Sequence, residues 1–187
     1  GTIVLLEVAR RRPLTTFVFA SSSSVYGGLS TVPFSETAAL SRPISPYAAT
    51  KLAGELICYT YHHLHRIPVT CLRFFTVYGP RQRPEMAIHQ FVRQIEEGQP
   101  VPMFGDGSSR RDFTYIDDTI EACIRLMAHK GCHIVNIANE AEWCIIDVAE
   151  QIKELIHSSS EIVFIEAPKK RYDYEVERRV GSSKKLF

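Results

Sequence analysis

Two short apolar runs, Phe17–Ala20 and Val69–Phe75, stand on either side of one long stretch of helical period, residues 47–65. No other feature limits the fold as much. The first run, FVFA, ends in four consecutive serines; the second, VTCLRFF, ends in a loop with Gly79, Pro80 and Pro84. Apolar runs of this length without alternation are expected of strands buried on both faces, as in a parallel sheet. Parallel neighbours need a long crossover, and the small-residue helix between them, stopped before Pro68, supplies one. The same periodicities predict a helix over 2–12 and further helices near 86–97, 118–129 and 145–157, with Asp117 as the N-cap of the helix at 118–129. Strands are predicted at His133–Ala138 and Ile162–Glu166, with one short strand in the loop between the helices at 86–97 and 118–129.

Strand–helix–strand alternation argues for an α/β fold. Two strands in the first half are too few for a doubly wound sheet, and none of the ten glycines falls in a GxGxxG loop. Both features, and a first residue other than methionine, lead us to expect a piece of a longer chain with roughly a hundred residues upstream.

Composition excludes other classes. Lys+Arg 22 against Asp+Glu 21 gives a formal charge of +1, which offers nothing to a nucleic acid or a membrane surface. Basic residues do cluster at Arg10–Arg12, Arg81/Arg83, Arg110–Arg111 and Lys169–Arg171. The five cysteines are scattered and lack metal-ligand spacing, so a reducing, cytosolic setting without zinc or a disulfide framework is expected. The apolar run Ile3–Leu6 is far too short for a membrane segment.

Tyr47 and Lys51 carry the first chemical signal. Spacing of four puts both on one helix face, about 5–6 Å apart at Cβ. A free tyrosine is a poor base at neutral pH, but a neighbouring ammonium and a cationic nicotinamide ring both favour the phenolate. Many helices contain such a pair by chance, so its context decides.

That context is FVFASSSSVYG (Phe17–Gly27), SPYAATK (Ser45–Lys51), TCLRFFTVYGPRQRP (Thr70–Pro84) and FGDGSSRRDFTYIDD (Phe104–Asp118). Together and in this order, over essentially the whole chain, they resemble the extended short-chain dehydrogenase/reductase family. Within it they are most similar to sugar-nucleotide epimerases of the UDP-glucuronate 4-epimerase type. The resemblance implies the C-terminal part of a Rossmann-type parallel sheet over residues 1–83. Residues 84–187 would then form a smaller α/β sugar-nucleotide domain, incomplete at its C-terminus.

It also implies roles. Tyr47 is the general base, Lys51 holds the ribose of NAD, and Ser22, four residues before Tyr26, hydrogen-bonds the sugar's 4-hydroxyl. A structural strand-end cap is expected at Ser21 instead. Phe74 is expected against the cofactor. Where 4,6-dehydratases of the family carry Asp–Glu, this chain has Ser23 and Ser24, which favours oxidation and reduction at C4 over elimination. Thr76 and Arg83 are expected to read a C5 carboxylate together with those serines, Arg83 as a planar fork. Met103 and Phe104 would pack on uracil, Arg111 would bind the diphosphate, and Arg171 is a looser match to a later phosphate-binding arginine.

The expected partner is a UDP-sugar, with a homodimer formed through helices 2–12 and 47–65. Ile3, Leu6 and Val8, and then Leu52, Leu56 and Tyr59, are the apolar positions offered. Two alternatives stay open: another dehydratase, decarboxylase or reductase of the same family, or an inactive fragment lacking the NAD glycine loop.

Overall fold

The computed structural model describes residues 1–166 and 176–186. Helix α1 (Thr2–Ala9) leads to strand β1 (Phe17–Ser22), a 3-10 turn (Ser23–Tyr26), helix α2 (Pro46–His65), and strands β2 (Val69–Phe74) and β3 (Thr76–Tyr78). Helix α3 (Ala87–Glu96), strands β4 (Val101–Phe104) and β5 (Arg110–Tyr115), and helix α4 (Ile116–Leu126) follow. Strands β6 (Cys132–Ile137) and β7 (Glu142–Cys144), helix α5 (Ile145–Ile156), and strands β8 (Ile162–Ile165) and β9 (Arg178–Arg179) complete the described order.

The expected α/β fold with a parallel sheet is present. β1, β2 and β6 form that sheet in the order β1–β2–β6, and their last residues, Ser22, Phe74 and Ile137, lie in one row. Strand alternation gives the sheet two unlike faces. Rows led by Phe17 and Phe19 face α1 and α2, where Leu6, Cys58, Val69 and Cys71 form a core. Leu72, Val135 and Ile137 lie on the opposite face, in a cluster with Leu126 of α4.

The second half adds a mixed sheet, β3–β5–β7 with β9 on β5, and a parallel pair β4–β8. Phe91, Ile95, Val101, Met103 and Ala149 pack there between strands and helices α3 and α5. β6, from residues 132–137, returns to the first sheet, so the chain crosses back over the division expected at residue 83. No helix among the described residues is long and apolar enough to cross a membrane.

Several local expectations need correction. The predicted single strand in the loop is two, β4 and β5, and β3, β7 and β9 have no counterpart in the sequence reading. The last three are two or three residues long, too short for a period to register. α4 starts at Ile116 with Tyr115 as N-cap, so Asp117 is no cap. Asp117 and Asp118 sit in the first turn, where the helix dipole favours acids. On α1, Ile3 and Val8 are exposed while Leu6 is fully buried, so the three do not share a side. Likewise Leu52 packs against the core, whereas Leu56 and Tyr59 are exposed.

α2 crosses β1 closely at Gly54. A Cβ there would come 2.2 Å from the Phe19 ring. Replacing a helical glycine by alanine ordinarily stabilises by about 0.5–1 kcal/mol. Here overpacking opposes it, at about 1–3 kcal/mol. Gly54→Ala is therefore expected to lower the urea midpoint of unfolding; an unchanged or higher midpoint would show that helix and strand separate without cost.

Candidate active site

α2 begins at the carboxyl ends of the parallel strands, where open α/β sheets place their ligands. Ser45 caps the helix by accepting from the Ala48 N–H at 3.1 Å, and Pro46 occupies the first turn, where its lack of an N–H costs nothing. Tyr47 follows in that turn, 56% exposed. The positive end of a 20-residue helix favours negative charge at this position.

One turn on, Lys51 donates to the carbonyl of Ala20 at 2.8 Å. Its ammonium lies 5.5 Å from the centre of the Tyr47 ring and 5.6 Å from that of Phe19. The structure thus brings Tyr47, Lys51 and the end of β1 together. An ammonium carries three donors, so two remain for ligand hydroxyls.

The serine run divides its work differently from expectation. Ser22, not Ser21, is the cap: its Oγ accepts from the Ser24 N–H at 3.1 Å and starts the 3-10 turn. Ser21 is buried and donates to Glu55. Ser23 is buried as well, and the Ser24 hydroxyl is enclosed without a hydrogen-bond partner. Phe74 ends β2 beside Ser22 in the sheet register.

Beneath these residues lies a polar row that sequence reasoning missed. Ser21, Arg73 and Asn136 are register partners on three adjacent strands, all buried. Arg73 grips buried Glu55 of α2 with two bonds, Nε to Oε1 at 2.9 Å and Nη2 to Oε2 at 2.7 Å. Its third contact, at 2.9 Å, is the Tyr26 hydroxyl, which donates to Asn136 at 2.7 Å. Asn136 in turn donates to the carbonyls of Phe34 and Ser182. Burial works against the charge on Arg73, but Glu55 and Tyr26 outweigh it and hold the guanidinium's pKa above its usual value. Two signals pointed here: Glu55 continues the Tyr47, Lys51 spacing by another four, and Arg73 is a lone charge inside an apolar strand.

Asp112 is a second missed residue. Fully buried on β5, it accepts from the backbone N–H groups of Asn139, Glu140 and Gly181. Burial pushes its carboxyl up from the ordinary range, and the three N–H donors pull it back. Asp112 ties the loop after β6, and the segment after β9, to the mixed sheet.

The remaining predicted residues are spread out. Thr76 opens β3, half-buried. Arg83 is exposed and faces Glu85 at 3.3 Å, with Met86 Sδ at 3.6 Å. Arg111 on β5 donates to the carbonyls of Arg110 at 2.7 Å, Val176 at 2.9 Å and Glu177 at 3.2 Å. Phe104 is exposed at the end of β4, but Met103 must be taken out of the group. It is 1% exposed in the core between α3 and α5, because alternation along β4 turns it opposite to Phe104. Arg171 lies outside the described residues.

A model of the NAD dependent epimerase/dehydratase family matches residues 1–138. The UDP-glucuronate 4-epimerase of Thermodesulfobacterium geofontis is 46% identical over 137 residues, 73% of this chain and 42% of that protein. Among solved structures, the UDP-glucuronic acid 4-epimerase of Bacillus cereus, in complex with UDP-glucuronic acid and NAD, superimposes with a TM-score of 0.89 at 36% identity. That match covers 99% of this chain and 58% of the other. The dTDP-glucose 4,6-dehydratase of Bacillus anthracis, in complex with NAD, gives 0.88 at 29% identity, over 100% of this chain and 58% of the other. The chain therefore spans about half the length of these relatives.

Proposed function

This chain belongs to the NAD dependent epimerase/dehydratase family, and from that premise we propose that its residues form the catalytic and sugar-nucleotide side of an NAD-dependent UDP-glucuronate 4-epimerase. The observation that carries the proposal is the Tyr47–Lys51 pair set against the end of β1. No glycine-rich phosphate loop occurs in these 187 residues, so the activity is proposed for a protein that joins them to a dinucleotide-binding part, and the 187 residues alone are proposed to be inactive. β1 pairs only with β2 among the described residues, which leaves an apolar edge suited to another parallel strand. The odd, scattered cysteines support a cytoplasmic setting.

The residues at the strand ends fit a dinucleotide: Lys51 has two donors for ribose hydroxyls, and Phe74 lies in the row of strand ends. Bound NAD supplies a reversible hydride acceptor at C4 of the sugar. Tyr47 takes the proton of the 4-hydroxyl as that carbon is oxidised, and Ser22 holds the same oxygen by a hydrogen bond. Lys51 stabilises the tyrosinate and keeps it oriented. After the 4-keto sugar turns over, so that C4 would be reduced from its opposite face, Tyr47 returns the proton to the 4-oxygen. Ser23 and Ser24 offer no carboxyl group for eliminating water, which favours epimerisation over dehydration.

For the carboxylate, the proposed readers are Thr76, Ser23, Ser24 and Arg83. The unpartnered Ser24 hydroxyl supports this, and so does the looseness of Arg83, whose exposed pair with Glu85 is cheap to exchange. Arg111 is proposed for the diphosphate and Phe104 for the uracil. A homodimer is proposed through α1 and α2. Their exposed faces hold Ile3, Val4, Leu5 and Val8 on the first helix and Leu56 and Tyr59 on the second. Those two helices pack on one another, and their exposed apolar residues suit a second copy related by a two-fold axis.

Three outcomes are expected of the enzyme that carries these residues. Tyr47→Phe should lower kcat by at least about a hundredfold while substrate binding changes little; near-normal turnover would remove Tyr47 as the base. Arg83→Ala should weaken turnover of UDP-glucuronate more than that of UDP-glucose by about 1.5–3 kcal/mol. Equal losses on the two sugars would mean that Arg83 does not read the carboxylate. Leu56→Arg introduces its charge twice in a two-fold interface, and sedimentation should show monomers at micromolar concentration. A wild-type monomer would refute the dimer, and a dimer indifferent to the arginine would refute this choice of face.

A further inference from the structure

We propose that Ser21 and Glu55 are positioning residues that set the orientation of Ser22, an inference that rests on the role given to Ser22 above. Three consecutive residues end β1, and α2 grips two of them from successive turns. Lys51 bonds the Ala20 carbonyl, which fixes how far the strand end stands from the helix. Glu55, four residues on, accepts from the Ser21 hydroxyl. Neighbouring strand residues point to opposite faces, so fixing the Ser21 side chain fixes the roll of the strand and hence the direction of Ser22. The backbone of Ser22 is still extended, at φ −158° and ψ 148°, so the alternation holds through that residue.

Glu55 is itself held on several sides. It is 4% exposed and gripped by two N–H groups on one edge of the Arg73 fork, which is anchored through Tyr26 and Asn136 to the rest of the sheet. Ser21 thus refers the strand end to a fixed point. The Ser22 hydroxyl already accepts from the Ser24 N–H, and a strand end free to roll would swing its remaining O–H away from the sugar oxygen. Burial of Ser21 keeps water from substituting for Glu55.

Ser21→Ala tests this with the loss of a single oxygen, leaving the Glu55–Arg73 pair in place. In the enzyme that carries these residues, kcat with UDP-glucuronate should fall about tenfold, with KM within about twofold, because misplacement affects the reacting geometry more than binding. Placed in a Ser22→Ala background, the same change should cost nothing further, since residues acting through one another are non-additive. Ser21→Thr, which restores the hydroxyl, should recover most of kcat. A Ser21→Ala enzyme with full kcat, an equal loss in both backgrounds, or a folded Ser21→Thr enzyme with no recovery would each overturn the inference. Failure of the underlying reading looks different: Ser22→Ala alone would then turn over normally, whatever Ser21 does.

Discussion

The bidentate pair between Glu55 and Arg73 is the interaction on which the rest of the structure depends. It joins α2 to the middle strand of the parallel sheet, with both side chains 3% exposed. Such a pair is weak evidence of net stability, because desolvating two ions costs about as much as their attraction returns. Removing one partner is another matter, at about 3–5 kcal/mol, since the other charge is left buried and alone. What makes the arrangement tolerable is that the neighbouring polar groups are satisfied too. Ser21, Tyr26 and Asn136 complete the set, and Tyr26 stacks on Phe34 with ring centres 4.7 Å apart.

The network also explains how distant stretches of chain come to lie at one edge of the sheet. Asn136 sits on β6, a hundred residues beyond Glu36, whose carboxylate accepts from its backbone N–H at 2.9 Å. Its side chain then holds the carbonyls of Phe34 and Ser182. Asp112 acts likewise from the mixed sheet, clasping Asn139, Glu140 and Gly181. Glu140 in turn accepts from Ser182 and Ser183, and the Ser183 N–H is the first cause of its lowered pKa. The buried Asp112 carboxylate and Asn136 amide, with the less buried carboxylates of Glu36 and Glu140, thus tie together segments that apolar packing alone does not join.

Much of this was legible in the chain. The unbroken runs at Phe17 and Val69 located the parallel strands, because residues buried on both faces need no alternation. The spacing of Tyr47 and Lys51 identified the helix face that meets the strand ends. What escaped were features set by tertiary context. Strands of two or three residues such as β9 and β7 carry no period of their own and form only because β5 lies alongside. Leu6 and Val8 have the same apolar character, yet one is covered by the sheet and the other is not. Met103 and Phe104 are both apolar, and only the pleat decides which faces inward. Glu55 and Arg73 read singly as a solvated helix charge and an oddity; only the register of three strands shows them as partners.

The polar row lies at the carboxyl edge of the sheet, and its place there has a physical reason. Further down the strands the same face is apolar, with Phe19, Cys71 and the Gly54 contact giving close but non-directional packing. Dispersion contacts fix distance well and rotation poorly. The proton transfer proposed between Tyr47 and a sugar oxygen would require rotation to be fixed as well, since hydrogen bonds weaken steeply off axis. Directional bonds are therefore of most use at the strand ends, where Lys51, Ser21, Glu55 and Arg73 supply them. The cost is a set of buried charges and hydroxyls that contribute little to stability, and it is confined to the edge where orientation matters.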